Sequence, residues 1–130
     1  MKTFLAASGA FLAMASLGAH HNFRAEFDAD RPFKLSGTVT RIEWFNPHTW
    51  FYLDVREIKD DAGKALNMGM EMGSPNALMR AGWKRDAMKI GDEVVVEGFH
   101  AHTRKDIGNA RVVILVKTGQ RLFAASSAGQ

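Results

Sequence analysis

Glu43-Trp44-Phe45-Asn46-Pro47-His48-Thr49-Trp50 is the stretch whose reading decides the fold. Proline presets φ and keeps the residue before it out of the helical region, so Asn46-Pro47 marks a turn. An apolar, β-branched run from Leu35 to Phe45 enters this turn, and a second from Thr49 to Ile58 leaves it. Two such runs joined by a proline turn predict a β-hairpin with His48 at its tip, flanked by aromatic rings.

Outward from the hairpin, Phe33–Phe45 reads as a first strand. Leu35, Gly37 and Val39 share one face, and the alternation slips near Thr40-Arg41, which predicts a β-bulge. Thr49–Ile58 is a second strand, with Phe51, Leu53 and Val55 on one face. Lys59–Lys64 forms a polar hairpin loop, and Ala65–Met72 is a third strand with Leu66, Met68, Met70 and Met72 on one face. Ser74-Pro75-Asn76 opens a short helix, with Ser74 as N-cap, Pro75 in the first position and Gly82 as the stop. Glu93–His100 and Asn109–Lys117 are the fourth and fifth strands; the fifth is apolar on both faces and so central or covered. Leu122-Phe123 can add a short pairing segment. Three strands, one helix and two strands predict a mainly β fold, a small OB-like five-stranded barrel with its helix between strands 3 and 4. An open β-sandwich of similar size is the alternative.

Residues 1–19 have the layout of a secretory signal peptide: Lys2, then an uncharged apolar run, then small residues. Cleavage after Ala19 leaves His20 first, and cleavage after Ala15 leaves Ser16 first. The expected order is then an arm (20–32), the OB-like domain (33–123) and a flexible tail (124–130). The leader implies a periplasmic or secreted protein with no stable membrane span after processing.

With 130 residues, 46% of them hydrophobic, the chain is long enough for one domain with its own core. A net charge of +3 is too small for an electrostatic nucleic-acid binder. The chain has no cysteine, which excludes disulfides, thiolate metal sites and a cysteine nucleophile.

Ala19-His20-His21-Asn22-Phe23, Phe27-Asp28, Gly37-Thr38-Val39, Asn46-Pro47-His48, Leu53-Asp54-Val55, Glu71-Met72-Gly73-Ser74-Pro75-Asn76, Gly82-Trp83 and Gly91-Asp92-Glu93-Val94 together resemble a family of small exported bacterial proteins, the domain of unknown function 6152. The resemblance spans nearly the whole mature chain. It implies export and a small β-rich domain, and it favours cleavage after Ala19, since in relatives the His-His pair follows the export signal directly. It implies no activity. Met68-Gly69-Met70 and His100-Ala101-His102 depart from its pattern.

Four residue sets carry candidate chemistry. If His20 is the first residue, its α-amine and ring can chelate one metal, with His21 and His48 adding imidazoles and Glu71 filling a further position or orienting a ring nitrogen. Such a nitrogen-rich set suits copper, with nickel or zinc as alternatives. The same residues also fit an exposed end beside a turn that His48 caps. His100 and His102 point the same way in an extended chain and could share an ion, or be solvated loop side chains. Met68, Met70 and Met72 offer thioethers to Cu(I), or simply fill the core. Trp44, Trp50 and Tyr52 offer a face for a small ligand, a glycan or a protein partner, or else cover the barrel. No motif marks a catalytic nucleophile. The reading is an exported metal-binding protein, for copper binding or delivery rather than turnover. Its rivals are a non-metal binding module and an accessory subunit of an exported oxidoreductase, with a periplasmic protein as partner.

Overall fold

The computed structural model describes residues 23–126. The proposed signal peptide, His20, His21 and residues 127–130 lie outside them. A helical turn over residues 23–26 leads into six strands and one helix. These are β1 (Phe27–Glu43), β2 (Trp50–Lys59), β3 (Ala65–Glu71), α1 (Pro75–Arg80), β4 (Glu93–Ala101), β5 (Ile107–Leu115) and β6 (Arg121–Phe123).

The strands form one sheet in the order β3-β2-β1-β4-β5-β6, and β3 also pairs in parallel with β5. That seam comprises Gly69 with Ile107, Met70 with Gly108 and Glu71 with Asn109. The expected small OB-like five-stranded barrel is therefore corrected to a curled six-stranded sheet rather than a closed barrel. The reasons are physical: β6 extends the sheet beyond β5, and β3 meets β5 over a seam of three residue pairs instead of a full ladder. The helix does lie between the third and fourth strands.

β1 organises the sheet because it is 17 residues long and has a partner on each side. Its register with β2 shifts between Val39 and Arg41, where the sequence alternation slips. Its start differs from expectation: the strand begins at Phe27, inside the segment read as an arm, and Pro32 lies within it opposite Phe99. Proline lacks only the N–H, so it is tolerated where the ladder is already irregular; the β1–β4 register shifts between Phe27 and Pro32. Gly37 is tied to this packing, since a Cβ there would strike the Asp54 carbonyl across the β1–β2 pair.

Phe51, Leu53, Val55, Met68, Met70, Met72, Val94, Val96 and Val113 are fully buried in one core cluster. The three methionines are core filler, their thioethers enclosed among apolar side chains. A second, smaller cluster of Phe23, Phe27 and Ala101, with Phe99 and Ile107 against it, pins the start of the described chain to the β4–β5 end of the sheet.

Ser74 caps α1 by accepting a hydrogen bond from the Ala77 N–H at 3.2 Å, and Pro75 occupies the first turn. Gly82, at φ +99°, ends it in the left-handed region. Within the segment expected as a flexible tail, Ala124 and Ser126 are buried, and the Ala124 carbonyl accepts from the Gly73 N–H at 2.8 Å. Among the described residues no helix is long and apolar enough to cross a membrane.

Candidate functional site

The Asn46–Pro47 peptide bond is cis, and the turn hands the chain to Thr49. Two backbone hydrogen bonds then hold Thr49 in place: its N–H donates to Gly73 O, and its carbonyl accepts from Met72 N–H, both at 2.9 Å. This clamps the turn against the end of β3 and brings His48 beside Glu71.

His48 is half-buried. Its Nδ1 lies 3.1 Å from the Met72 carbonyl oxygen and 3.8 Å from Oε1 of Glu71. A carbonyl only accepts, so Nδ1 carries the proton and donates it. In the neutral ring Nε2 is then the unprotonated nitrogen, open to act as base or ligand. Glu71 is 7% exposed, an unusual setting for a carboxylate. Burial pushes its pKa above the ordinary glutamate range, and the Glu26 carboxylate pushes it the same way; His48 and the Asn109 amide oppose them. Asn109 is fully buried and donates to Glu71 Oε1 at 3.4 Å, while its own Oδ1 has no hydrogen-bond partner among the described residues.

The registers align these groups. Phe99 faces Asn109, Asn109 faces Glu71, and Glu71 faces Trp50, in a row running across β4, β5, β3 and β2. Phe23 packs edge-on against Phe99 at one end of the row, with ring centroids 5.7 Å apart. His48 stands at the other end, two residues before Trp50. Neighbouring strands are about 4.8 Å apart, so the row is about 15 Å long. His20 and His21 precede Phe23 by only a few residues, and three extended residues span about 10 Å.

Of the expected metal set, the structure brings His48 and Glu71 together; His20 and His21 lie outside the described residues. Among the described residues no group of three or more His, Cys, Asp or Glu side chains could hold a metal ion. A copper centre made of described residues alone is corrected on that ground, and Glu71 approaches the protonated nitrogen of His48, the place of an orienting partner rather than a shared ligand. Asn109 escaped the sequence reading. Its signal was an amide in β5 beside a strongly apolar run, Val112 to Leu115.

His100 and His102 line one hollow of about 340 Å³ together with Arg31, Arg104 and Lys105. His102 is engaged with the arm, its Nε2 donating to the Arg24 carbonyl at 3.1 Å. The aromatic set divides. Trp50 and Tyr52 line a hollow of about 320 Å³ with Arg41, Asn67, Gly69 and Arg104. Trp44 instead packs edge-on against Trp83, with centroids 6.4 Å apart. Arg41 lies over the Tyr52 ring at 3.8 Å.

Residues 7–110 match the model of a family of unknown function, DUF6152, and the chain belongs to that family. The match includes His20, His21, His48, Glu71 and Asn109 and ends before β6. No curated protein matches the sequence.

Proposed function

We propose that the protein binds a nitrogen-preferring transition metal ion, copper(II) first, outside the cytoplasm. Nε2 of His48 serves as the sheet's ligand, and His20 and His21 bring further nitrogens from the processed N-terminus. The observation that carries this reading is the held tautomer of His48. Its Nδ1–H is fixed on the Met72 carbonyl with the buried Glu71 carboxylate beyond it, and Nε2 is left bare. Ligating histidines are oriented in this way by a carbonyl or carboxylate on the other ring nitrogen. Burying a carboxylate costs several kcal/mol, and a buried acid beside a histidine with a free nitrogen is the kind of arrangement function retains. A cation on Nε2 would offset that cost by drawing charge toward Glu71. The Glu26 carboxylate acting on Glu71 supports an arm lying close by.

The role is binding or delivery. The test is Cu(II) titration of protein processed to begin at His20, followed by calorimetry and electron paramagnetic resonance. His48→Ala is expected to weaken binding at least tenfold and change the spectrum to that of an amino-terminal chelate. Glu71→Gln is expected to weaken it by about 10–100-fold, the usual effect of losing an orienting carboxylate. Equal affinity and an identical spectrum for wild type and His48→Ala would refute the site.

A further inference from the structure

The hollow between β1, the end of β4 and the 102–106 loop is a second place where side chains of one chemical kind converge. Arg31, His100, His102, Arg104 and Lys105 line it, and among the described residues no carboxylate does. Three of these groups are already engaged. The Arg104 guanidinium grips Asp106 with two bonds, at 3.1 and 2.7 Å. Lys105 pairs with Asp61 at 3.0 Å. His102 donates to Arg24 O and sits 3.9 Å from Asp28.

Two are not engaged in this way. Arg31 has no carboxylate partner among the described residues, and its one bond, to the Ala101 carbonyl, is long at 3.5 Å. His100 is half-buried, with its ring edge-on to Phe33 at 5.0 Å, and among the described residues its ring nitrogens make no hydrogen bond. Burial, and then the neighbouring Arg31 charge, hold its pKa below the ordinary histidine range. A cation entering here would meet Arg31, Arg104 and Lys105, so the hollow is unsuited to a metal shared by His100 and His102.

Arg104 also lines the hollow of Trp50 and Tyr52, with its partner Asp106 beside it, so the Arg104 side chain is a wall common to the two spaces. A Cβ on Gly69 would lie 2.9 Å from the Tyr52 ring and 3.5 Å from Trp50, so the glycine lets both rings lie down on β3. Each space is near the lower end of the roughly 300–1,000 Å³ range of small-molecule sites, and both are larger than a bare inorganic anion requires.

We propose that these two neighbouring hollows together bind a small organic oxyanion, a carboxylate or phosphate monoester. Its charged head lies between the Arg31 guanidinium and His100, and a planar body passes Arg104 onto the Trp50–Tyr52 face. Arginine presents a planar fork that matches such oxygens with two bonds, and a neutral His100 donates a third.

The test is nuclear magnetic resonance titration of metal-free protein with phenyl phosphate and with inorganic phosphate, observing the His100 ring. Phenyl phosphate is expected to bind at least tenfold more tightly than phosphate, to shift the His100 signals and to raise the pKa read from them. Arg31→Gln, at an exposed position, is expected to keep the fold and lose at least tenfold in affinity, and Tyr52→Leu to erase the preference for the phenyl ester. His48→Ala is expected to bind both probes as the wild type does, which separates this site from the metal reading. A His100 ring that does not respond would overturn the proposal, as would an Arg31→Gln variant that binds as the wild type.

Discussion

Replacing Phe23 by alanine is expected to undock the arm while leaving the sheet folded. The helical turn at residues 23–26 is held by one buried ring, two ring pairs and two hydrogen bonds. Phe23 is 8% exposed and packs against Phe27 and Phe99, in each case with centroids 5.7 Å apart. The His102 N–H donates to Glu26 O at 3.0 Å, and the His102 ring to Arg24 O at 3.1 Å. Ring burial is worth about 1.5–3 kcal/mol, each ring pair about 0.5–1.5 and each hydrogen bond about 0.5–1.5. Losing the ring and both pairs removes about 3 kcal/mol, a shift of roughly a hundredfold toward the open arm. The assay is native-state trypsin cleavage after Arg24, whose rate tracks the open population when closing is fast. Phe23 belongs to a cluster separate from the main core. The melting temperature should therefore fall by less than the ~4–8 °C that 1 kcal/mol of global destabilisation causes. An Arg24 cleavage rate within twofold of wild type would refute the reasoning. So would a rise in cleavage that only accompanied global unfolding.

Glu71 sets a pH dependence of known sign. Its raised pKa means that the native state holds this proton more tightly than the unfolded chain does. Its contribution to stability is therefore present below the ordinary glutamate range and lost as pH rises through the raised value. Glu71→Gln removes the buried charge, so urea denaturation should show the variant gaining on wild type as pH rises from the ordinary glutamate range toward neutrality; a gap that widens the other way would contradict the burial argument. Gly73→Ala places a Cβ against the Ala125 carbonyl, beside the bonds that clamp Thr49. It is expected to cost about 1–3 kcal/mol in chemical denaturation and to weaken metal binding together with stability; unchanged stability would show that the β3 end yields freely.

Much of the local structure was legible because its causes are local. The period-2 alternation of Phe51, Leu53 and Val55, the slip at Thr40-Arg41, the Ser74 cap and the Gly82 stop each depend on a few neighbouring residues, and each stands where the pattern put it. The start of β1 at Phe27 was not legible, because Pro32 reads as a breaker until its place opposite Phe99 in an irregular ladder is known. The closeness of His48 and Glu71 was only an expectation, since 23 residues separate them and no spacing rule reaches so far.

The sequence by itself determined a mainly β chain with a histidine at a proline turn, a helix between the third and fourth strands, and a core face rich in valine, leucine and methionine. Side-chain periodicity and turn chemistry act along the chain, so they can be read from it. Only the tertiary structure decided the β3–β5 seam, the burial of Asn109 beside Glu71, the separation of Trp44 from Trp50 and Tyr52, and the company of Arg31 with His100. Those are matters of register between distant strands. Register is set by packing energy summed over the whole sheet, and no short stretch of residues encodes that sum.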